Sequence, residues 1–342
     1  MRWVENIQKR LAVLVAAAAA ALSLSACATA SESAPAPVIA VGDLHGDYDA
    51  YISILRAAGL VSARGKWSGG KATLVQLGDV PDRGSDTRKI IEHLMKLEKE
   101  AKKKGGRVVP LIGNHEAMNV IGDLRYVTPE EYAAFATAKS KKLRDAHFKA
   151  NFAALAEFYR KKDPTLDDEG VRAAFEKEAP LGYIEHRLVW GPNGAIGSWI
   201  ASHDAAVRIG DTLFVHGGIS AGYAASTIAA INEAVRRALK AGGGFILEDE
   251  LGPLWHRGNV EESAAGEAAV AAALGAFGVK RIVVGHTPQL AGIKAYYGGR
   301  VIAADTGASK AYGGARSYLR IDAAGVVAHD NGVATALPGG GP

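Results

Sequence analysis

A chain of 342 residues that is 48% hydrophobic and 22% charged lies in the range of folded globular proteins, which excludes a wholly disordered chain and a polytopic membrane protein. Its 40 basic and 36 acidic residues leave a formal charge of +4 without a long basic block, so nucleic acid is not an expected partner. A single cysteine rules out an internal disulfide, and 41 glycines against 12 prolines favour a sheet-rich α/β protein with glycine-built loops over a helical bundle.

Residues 1–27 open with Arg2, Lys9 and Arg10, pass through an alanine-dominated apolar run at 11–24 and end on small residues, the order of a secretory signal peptide. The run is shorter than the roughly 20 residues that span a bilayer. Its end, Leu24-Ser25-Ala26-Cys27, resembles the lipobox of bacterial lipoproteins. That resemblance implies lipidation of Cys27, export, and a lipid anchor in the outer membrane facing the periplasm; a cleaved signal with an incidental cysteine is the plainer alternative. Residues 28–37, rich in Ala, Ser and Pro, read as a flexible tether. The folded domain is expected over 38–330, with a flexible tail at 331–342.

From residue 38, short runs of Val, Ile and Leu end in glycine plus a polar residue: 38–41 before Gly42-Asp43, 73–77 before Gly78-Asp79, and 108–112 before Gly113-Asn114. They read as buried strands. Between the second and third, residues 86–104 repeat Ile90, Ile91, Leu94 and Leu97 at helical spacing. The segment at about 124–203 is dominated by helix formers, at 129–161 and 166–178, and reads as a helical insertion over one rim. Further strands are expected at 212–215, 281–284, 301–304, 318–321 and 326–328, with covering helices at 224–241 and 262–276.

In open α/β folds the ligand lies beyond the carboxyl ends of the strands. Those ends carry Asp43 and His45, Asp79 and Asp82, Asn114 and His115, His216, and His286. Turn chemistry after a strand is the plain alternative for each. As ligands, the mixed oxygen and nitrogen set suits Mn, Fe or Zn and is too histidine-rich for calcium. Six ligands exceed the needs of one tetrahedral ion. Two divalent ions sharing a carboxylate use them well, about 3.5–4 Å apart as in two-metal hydrolases.

The blocks Gly42-Asp43-Leu44-His45-Gly46, Gly78-Asp79-Val80-Pro81-Asp82-Arg83-Gly84, Gly113-Asn114-His115-Glu116 and His216-Gly217-Gly218, in that order, resemble the phosphoprotein phosphatase family of calcineurin-like metallophosphoesterases. Residues 67–70, 113–128 and 253–258 resemble its Shewanella-like branch. The resemblance implies a metallophosphatase four-layer α/β/β/α sandwich with a helical insertion. It also implies two metals, with Asp43 and His45 on one, Asp79 bridging, and Asn114, His216 and His286 on the other. Arg83 and Arg257, with Asn114, would bind the phosphate, and His115, held by Asp82, would protonate the leaving oxygen after attack by hydroxide at the metal pair. A surface ion pair is the alternative for Arg257. Pro81 stands where the family usually has valine, a constraint that bears on the Asp82–His115 pairing.

The implied substrate is a phosphorylated protein or small phosphoester, with phosphotyrosine favoured, and a rim carrying Tyr126, Tyr183, Trp190 or Tyr312 would stack on its ring. Tyr312 could equally pack its own loop. A nucleotide or dinucleoside-polyphosphate hydrolase on the same fold and a non-catalytic metal-binding lipoprotein are the alternatives. His93, His147, His186 and His329 are expected to be solvated or packed, and His203, Asp204 and His256 to serve a structural or rim role.

Overall fold

A computed structural model describes residues 36–339. The expected signal peptide, Cys27 and most of the tether lie outside the described residues. In chain order the elements are β1 (Val38–Val41), α1 (Tyr48–Ala57), β2 (Thr73–Gln76), α2 (Thr87–Lys103), β3 (Arg107–Pro110) and α3 (Asn114–Ile121). The insertion follows as α4 (Pro129–Phe135), α5 (Ser140–Ala150), α6 (Phe152–Lys162), α7 (Asp168–Glu178), α8 (Tyr183–Trp190) and α9 (Ala195–Ile200). Then come β4 (Ala206–Ile209), β5 (Thr212–Val215), α10 (Ala221–Ala224), α11 (Ile228–Ala241) and α12 (Ala264–Phe277). The chain closes with β6 (Arg281–Val284), β7 (Lys294–Tyr296), β8 (Val301–Ala303), β9 (Ser317–Asp322), β10 (Gly325–Asp330) and β11 (Val333–Ala336).

Two mixed sheets result, ordered β11-β10-β9-β1-β2-β3 and β4-β5-β6-β8-β7. Within the first, β1, β2 and β3 pair in parallel, aligning Ile39, Leu74 and Val108. The period-2 alternation of strand side chains assigns each residue to a layer. Ala40, Val75 and Val109 face Phe214, Val283 and Ile302 of the other sheet in the central core. Their neighbours Ile39, Leu74 and Val108 pack outward with Ile54, Ile90 and Leu94 of the helices, and Leu213 and Ile282 pack outward with Val270 and Phe277. This is the expected four-layer sandwich. It also explains the continuously apolar strands, since both faces of each sheet are covered.

Three strands were not anticipated. β4 reaches β5 through Gly210-Asp211, with Ile209 opposite Thr212 and Gly210 at φ 60°. β7 flanks β8 in antiparallel fashion as an edge strand. β11 replaces part of the tail expected from 331: Asn331 and Gly332, both left-handed at φ 49° and 88°, form a two-residue turn that pairs Asp330 with Val333.

The helix-forming stretch at 129–161 folds as three helices, α4, α5 and α6. The insertion has a cluster of its own, with Phe148, Tyr159, Val171 and Phe175 buried together. Tyr183 packs on the Tyr132 ring at 5.5 Å and Trp190 is fully buried in the main core. Neither forms part of a substrate rim.

Candidate active site

Loops after β1, β2, β3, β5 and β6 converge at one end of the sandwich, and the side chains of Asp43, His45, Asp79, Asp82, Asn114, His115, His216 and His286 are all buried there. Sharp reversals aim them back across the strand ends. Five of the seven non-glycine residues with left-handed backbone among the described residues belong to the site: His45, Asp79, Asp82, Arg83 and His286, with φ between 42° and 73°. Such concentration of strained backbone is characteristic of functional sites. Gly113 makes the crowding possible, because a Cβ there would collide with the Asp79 carboxylate.

Two ligand clusters share Asp79: His45, Asp79 and His115, and Asp79, His216 and His286, with ligand atoms in each within 4.8 Å of one another. Asp43 lines the same cleft and its carboxylate accepts the His286 amide at 3.1 Å. Asn114 Oδ1 lies 2.9 Å from His216 Nε2, which is 3.3 Å from Asp79 Oδ1. The six expected ligands are therefore together, with the carboxylate expected to bridge at their centre.

The outer contacts of the histidines show that this set fits metals. His45 Nδ1 meets the Pro81 carbonyl at 3.1 Å, His216 Nδ1 the Leu77 carbonyl at 2.7 Å, and His286 Nε2 the Trp255 carbonyl at 3.1 Å. Each ring then donates one N–H to a carbonyl and presents the other nitrogen, as a lone-pair donor, to the cleft, the arrangement that orients metal-binding histidines. Burial, first, depresses His45 to about 4, and burial with the neighbouring His216 depresses His286 to about 2. Both are neutral and ready to bind.

The carboxylates ask for positive charge. Burial raises Asp43 well above the usual range, and Asp305 and Asp79 add to the rise. Glu116 is pushed to about 7 by burial and Asp79, and Asp305 to about 6, chiefly by burial. Four carboxyl groups in so small a dry volume repel one another unless cations or protons intervene.

Two of these four were not anticipated as site residues. Glu116 accepts the amides of Asp79, Val80 and Gly113 at 2.9, 2.8 and 2.8 Å, fixing the β2 loop to the start of α3. Its position three residues after Gly113 is the spacing of a helix cap, which was the available signal. Asp305 accepts the Gly307 amide at 2.9 Å, and its other oxygen is buried without a partner. Trp255, also unforeseen, lines the cleft.

The proton-donor pair is intact despite Pro81. His115 Nδ1 lies 2.5 Å from Asp82 Oδ2, and Asn119 donates to Asp82 Oδ1 at 2.9 Å. Asp82, directly after Pro81, takes a left-handed conformation at φ 73°. The guanidinium of Arg83 is held between the rings of Tyr126 and Tyr312, 4.5 and 5.2 Å from their centroids, so Tyr312 does line the cleft. Arg257, on the rim, donates to the His286 carbonyl at 2.7 Å and the Thr287 hydroxyl at 3.0 Å and forms no ion pair among the described residues. His203 binds Glu98 at 2.9 Å and Asp204 pairs with Arg236, both structural. His186 is buried among Tyr132, Phe135 and Trp190, far from any ligand role.

Residues 36–290 match the calcineurin-like phosphoesterase family. Shewanella-like protein phosphatase 2 of Arabidopsis thaliana is 34% identical over 285 residues, 80% of this chain and 71% of the relative. An uncharacterized protein of Schizosaccharomyces pombe is 34% identical over 304 residues, 83% of this chain and 76% of its own. The crystal structure of a cold-active protein-tyrosine phosphatase of a psychrophilic Shewanella superposes with a TM-score of 0.66 at 25% identity, covering 88% of this chain and 80% of that one.

Proposed function

Because the chain belongs to the calcineurin-like phosphoesterases, in their Shewanella-like protein phosphatase branch, we propose that its substrates are proteins phosphorylated on tyrosine. Membership makes it a metal-dependent phosphoric monoester hydrolase, and His115 and Arg83 are groups that a non-catalytic metal-binding lipoprotein would not need. The observation that carries the tyrosine preference is the aromatic frame of the phosphate clamp, with Arg83 against Tyr126 and Tyr312 and with Trp255 lining the same cleft. A phenyl ring entering phosphate-first finds aromatic faces on its way in. The likeness to a protein-tyrosine phosphatase structure supports the same reading.

Asp43, His45, Asp79, Asn114, His216 and His286 would hold two divalent ions, for which Mn, Fe and Zn suit the donor set. When bound, these ions supply Lewis acidity toward the phosphoryl oxygens and activate water. The chain's own groups do the rest. Arg83 presents its planar fork to the equatorial oxygens, pre-oriented by the two rings. Arg257 is anchored at the His286 carbonyl and reaches the same cleft. His115 donates Nδ1–H to Asp82, which leaves Nε2 to deliver a proton to the leaving oxygen. A phenol leaves more easily than an aliphatic alcohol, so this one acid suffices.

Matched peptides bearing phosphotyrosine, phosphoserine or phosphothreonine, and nucleotides, are to be compared under one metal condition. The phosphotyrosine kcat/KM is expected to exceed the others by at least about tenfold, a difference of about 1.4 kcal/mol in transition-state binding. A phosphoserine or nucleotide value equal to it would overturn the preference and favour a general or nucleotide-directed hydrolase.

We further propose that the protein is exported and anchored through a lipid on Cys27 at the outer membrane, facing the periplasm. The order of basic start, apolar run, lipobox and polar tether supports this. Wild type should sediment with membranes and incorporate labelled palmitate, and Cys27→Ala should do neither. Equal solubility of the two forms would reject the anchor.

A further inference from the structure

The loop after β8 carries Tyr312 to the cleft and is held at three places. At its start the Asp305 carboxylate accepts the Gly307 amide at 2.9 Å, and from its end Arg316 Nη1 donates to the Ala308 carbonyl at 3.1 Å. Between them the chain closes on itself, with the Gly314 amide donating to the Ser309 carbonyl at 3.0 Å. Tyr312 folds so tightly over Gly307 that a Cβ there would come within 2.6 Å of the tyrosine Cβ. The third attachment is at the tip, where the Lys310 amide donates to Asp47 Oδ2 at 3.0 Å.

Asp47 lies 263 residues away in the chain, directly after the block that supplies Asp43 and His45. It is buried, and its two oxygens serve two purposes. Oδ1 accepts the Ala50 amide at 2.9 Å and caps α1, the task of an aspartate before a helix. Capping needs one oxygen. The other holds the loop, and the ring two residues beyond the bonded amide packs 5.5 Å from the His45 ring and 5.2 Å from the Arg83 guanidinium. A buried carboxylate that accepts two amides thus ties the start of α1, and with it the turn of His45, to the loop of Tyr312. The Lys310 ammonium, 3.6 Å from Asp49 at exposed positions, adds little to the tie.

We propose that Asp47 is a positioning residue for substrate specificity: through the Lys310 amide it holds the Tyr312 ring where the aromatic part of a phosphoester passes on its way to Arg83. This rests on the aromatic-substrate reading above. Asp47 acts here without touching substrate. With the Lys310 amide released, the tip keeps only the attachments at its two ends, and the Tyr312 ring drifts from its place beside Arg83 and His45. A substrate with an aryl leaving group then loses a stacking face, whereas one with an alkyl leaving group has none to lose.

Asp47→Ser separates the two tasks, because serine caps a helix about as well as aspartate and is too short to reach both amides. The test uses the full chain with zinc bound, as wild type, Asp47→Ser, Tyr312→Ala and the double variant, on phenyl phosphate and β-glycerophosphate. Asp47→Ser is expected to lower the ratio of kcat/KM for phenyl phosphate to that for β-glycerophosphate by about three- to tenfold, the worth of one aromatic pair. The loss should appear in KM, with zinc content retained. Tyr312→Ala should lower the same ratio, and the double variant no further than Tyr312→Ala alone, because residues acting as one unit are non-additive. Additive losses, equal losses on the two esters, an unaltered ratio, or zinc lost from Asp47→Ser would each overturn the proposal.

3-Fluorotyrosine carried at position 312 gives a second reading that needs no turnover. With Asp47 in place, its fluorine resonance should sit away from the unfolded-chain value, since the ring lies beside His45 and Arg83, and in Asp47→Ser it should move toward that value. Asp47→Asn, which keeps the shape but offers one acceptor oxygen to two amides, serves if the serine variant fails to fold and should move the signal the same way. An unmoved resonance in the folded variant would overturn the proposal. A wild-type chain with no preference for phenyl phosphate over β-glycerophosphate would instead remove the aromatic-substrate reading, and the resonance would still decide whether Asp47 positions the ring.

Discussion

Replacing Asp79 by asparagine is expected to abolish metal binding and activity together, with a fall in kcat/KM of about a thousandfold or more. Asp79 is the one residue common to both ligand clusters. Its Oδ1 faces His216 at 3.3 Å and accepts the His115 amide at 3.0 Å, while Oδ2 lies 3.8 Å from His115 Nε2. Asparagine keeps the shape, removes the charge and puts an NH2 donor where a second acceptor oxygen stood. A carboxylate bridges two ions with two oxygens; an amide offers one. Metal analysis of the purified variant should find less than one equivalent per chain, against two in wild type. A variant with two ions retained and full activity would refute the bridging assignment.

His115→Asn separates chemistry from metal binding. Its Nδ1 is committed to Asp82 at 2.5 Å, so His115 is oriented as an acid although its ring falls within one of the two ligand clusters. The expected result is unchanged metal content with kcat on phenyl phosphate lowered by about 10²–10³-fold, the span that a positioned proton donor supplies. Asp82→Asn should give a similar loss, and the double variant little more than either alone, because residues acting as one unit are strongly non-additive. Metal lost from His115→Asn would make it a ligand rather than an acid; additive losses would separate it from Asp82.

Much of this was legible from residue order. Strands that end in glycine plus an acid or amide announced both the sheet and the site, because a turn that points a side chain back over a strand end needs those residue types. Distances were not legible: nothing in the spacing tells that His115 Nε2 sits beside Asp79, or that Asp43 bonds to the His286 amide. Asp305 follows β8 within Ala304-Asp305-Thr306-Gly307, where alanine stands in place of the glycine that precedes Asp43, Asp79 and Asn114, so its strand end carries a weaker signature. Asn331-Gly332 is the strongest short hairpin signal, and it was submerged in a stretch whose polar, glycine-rich end read as a tail. Tyr183 and Trp190 were misplaced for a different reason. Which face of an inserted helix is covered depends on partners distant in sequence, and Trp190 turns inward against Ile196 and Ile200.

The left-handed residues of the site carry a consequence for how this protein can change. Each conformation costs roughly 1–2 kcal/mol for a residue with a side chain and nothing for glycine. Selection for heat resistance alone would therefore favour glycine or asparagine at positions 45, 79, 82, 83 and 286, and every such gain would delete a ligand, an acid or a phosphate clamp. The rest of the sandwich is free to become sturdier. At these five positions durability and turnover are opposed, so a thermostable descendant that still turns over must find its added stability elsewhere, in the sheets or in the separately packed insertion.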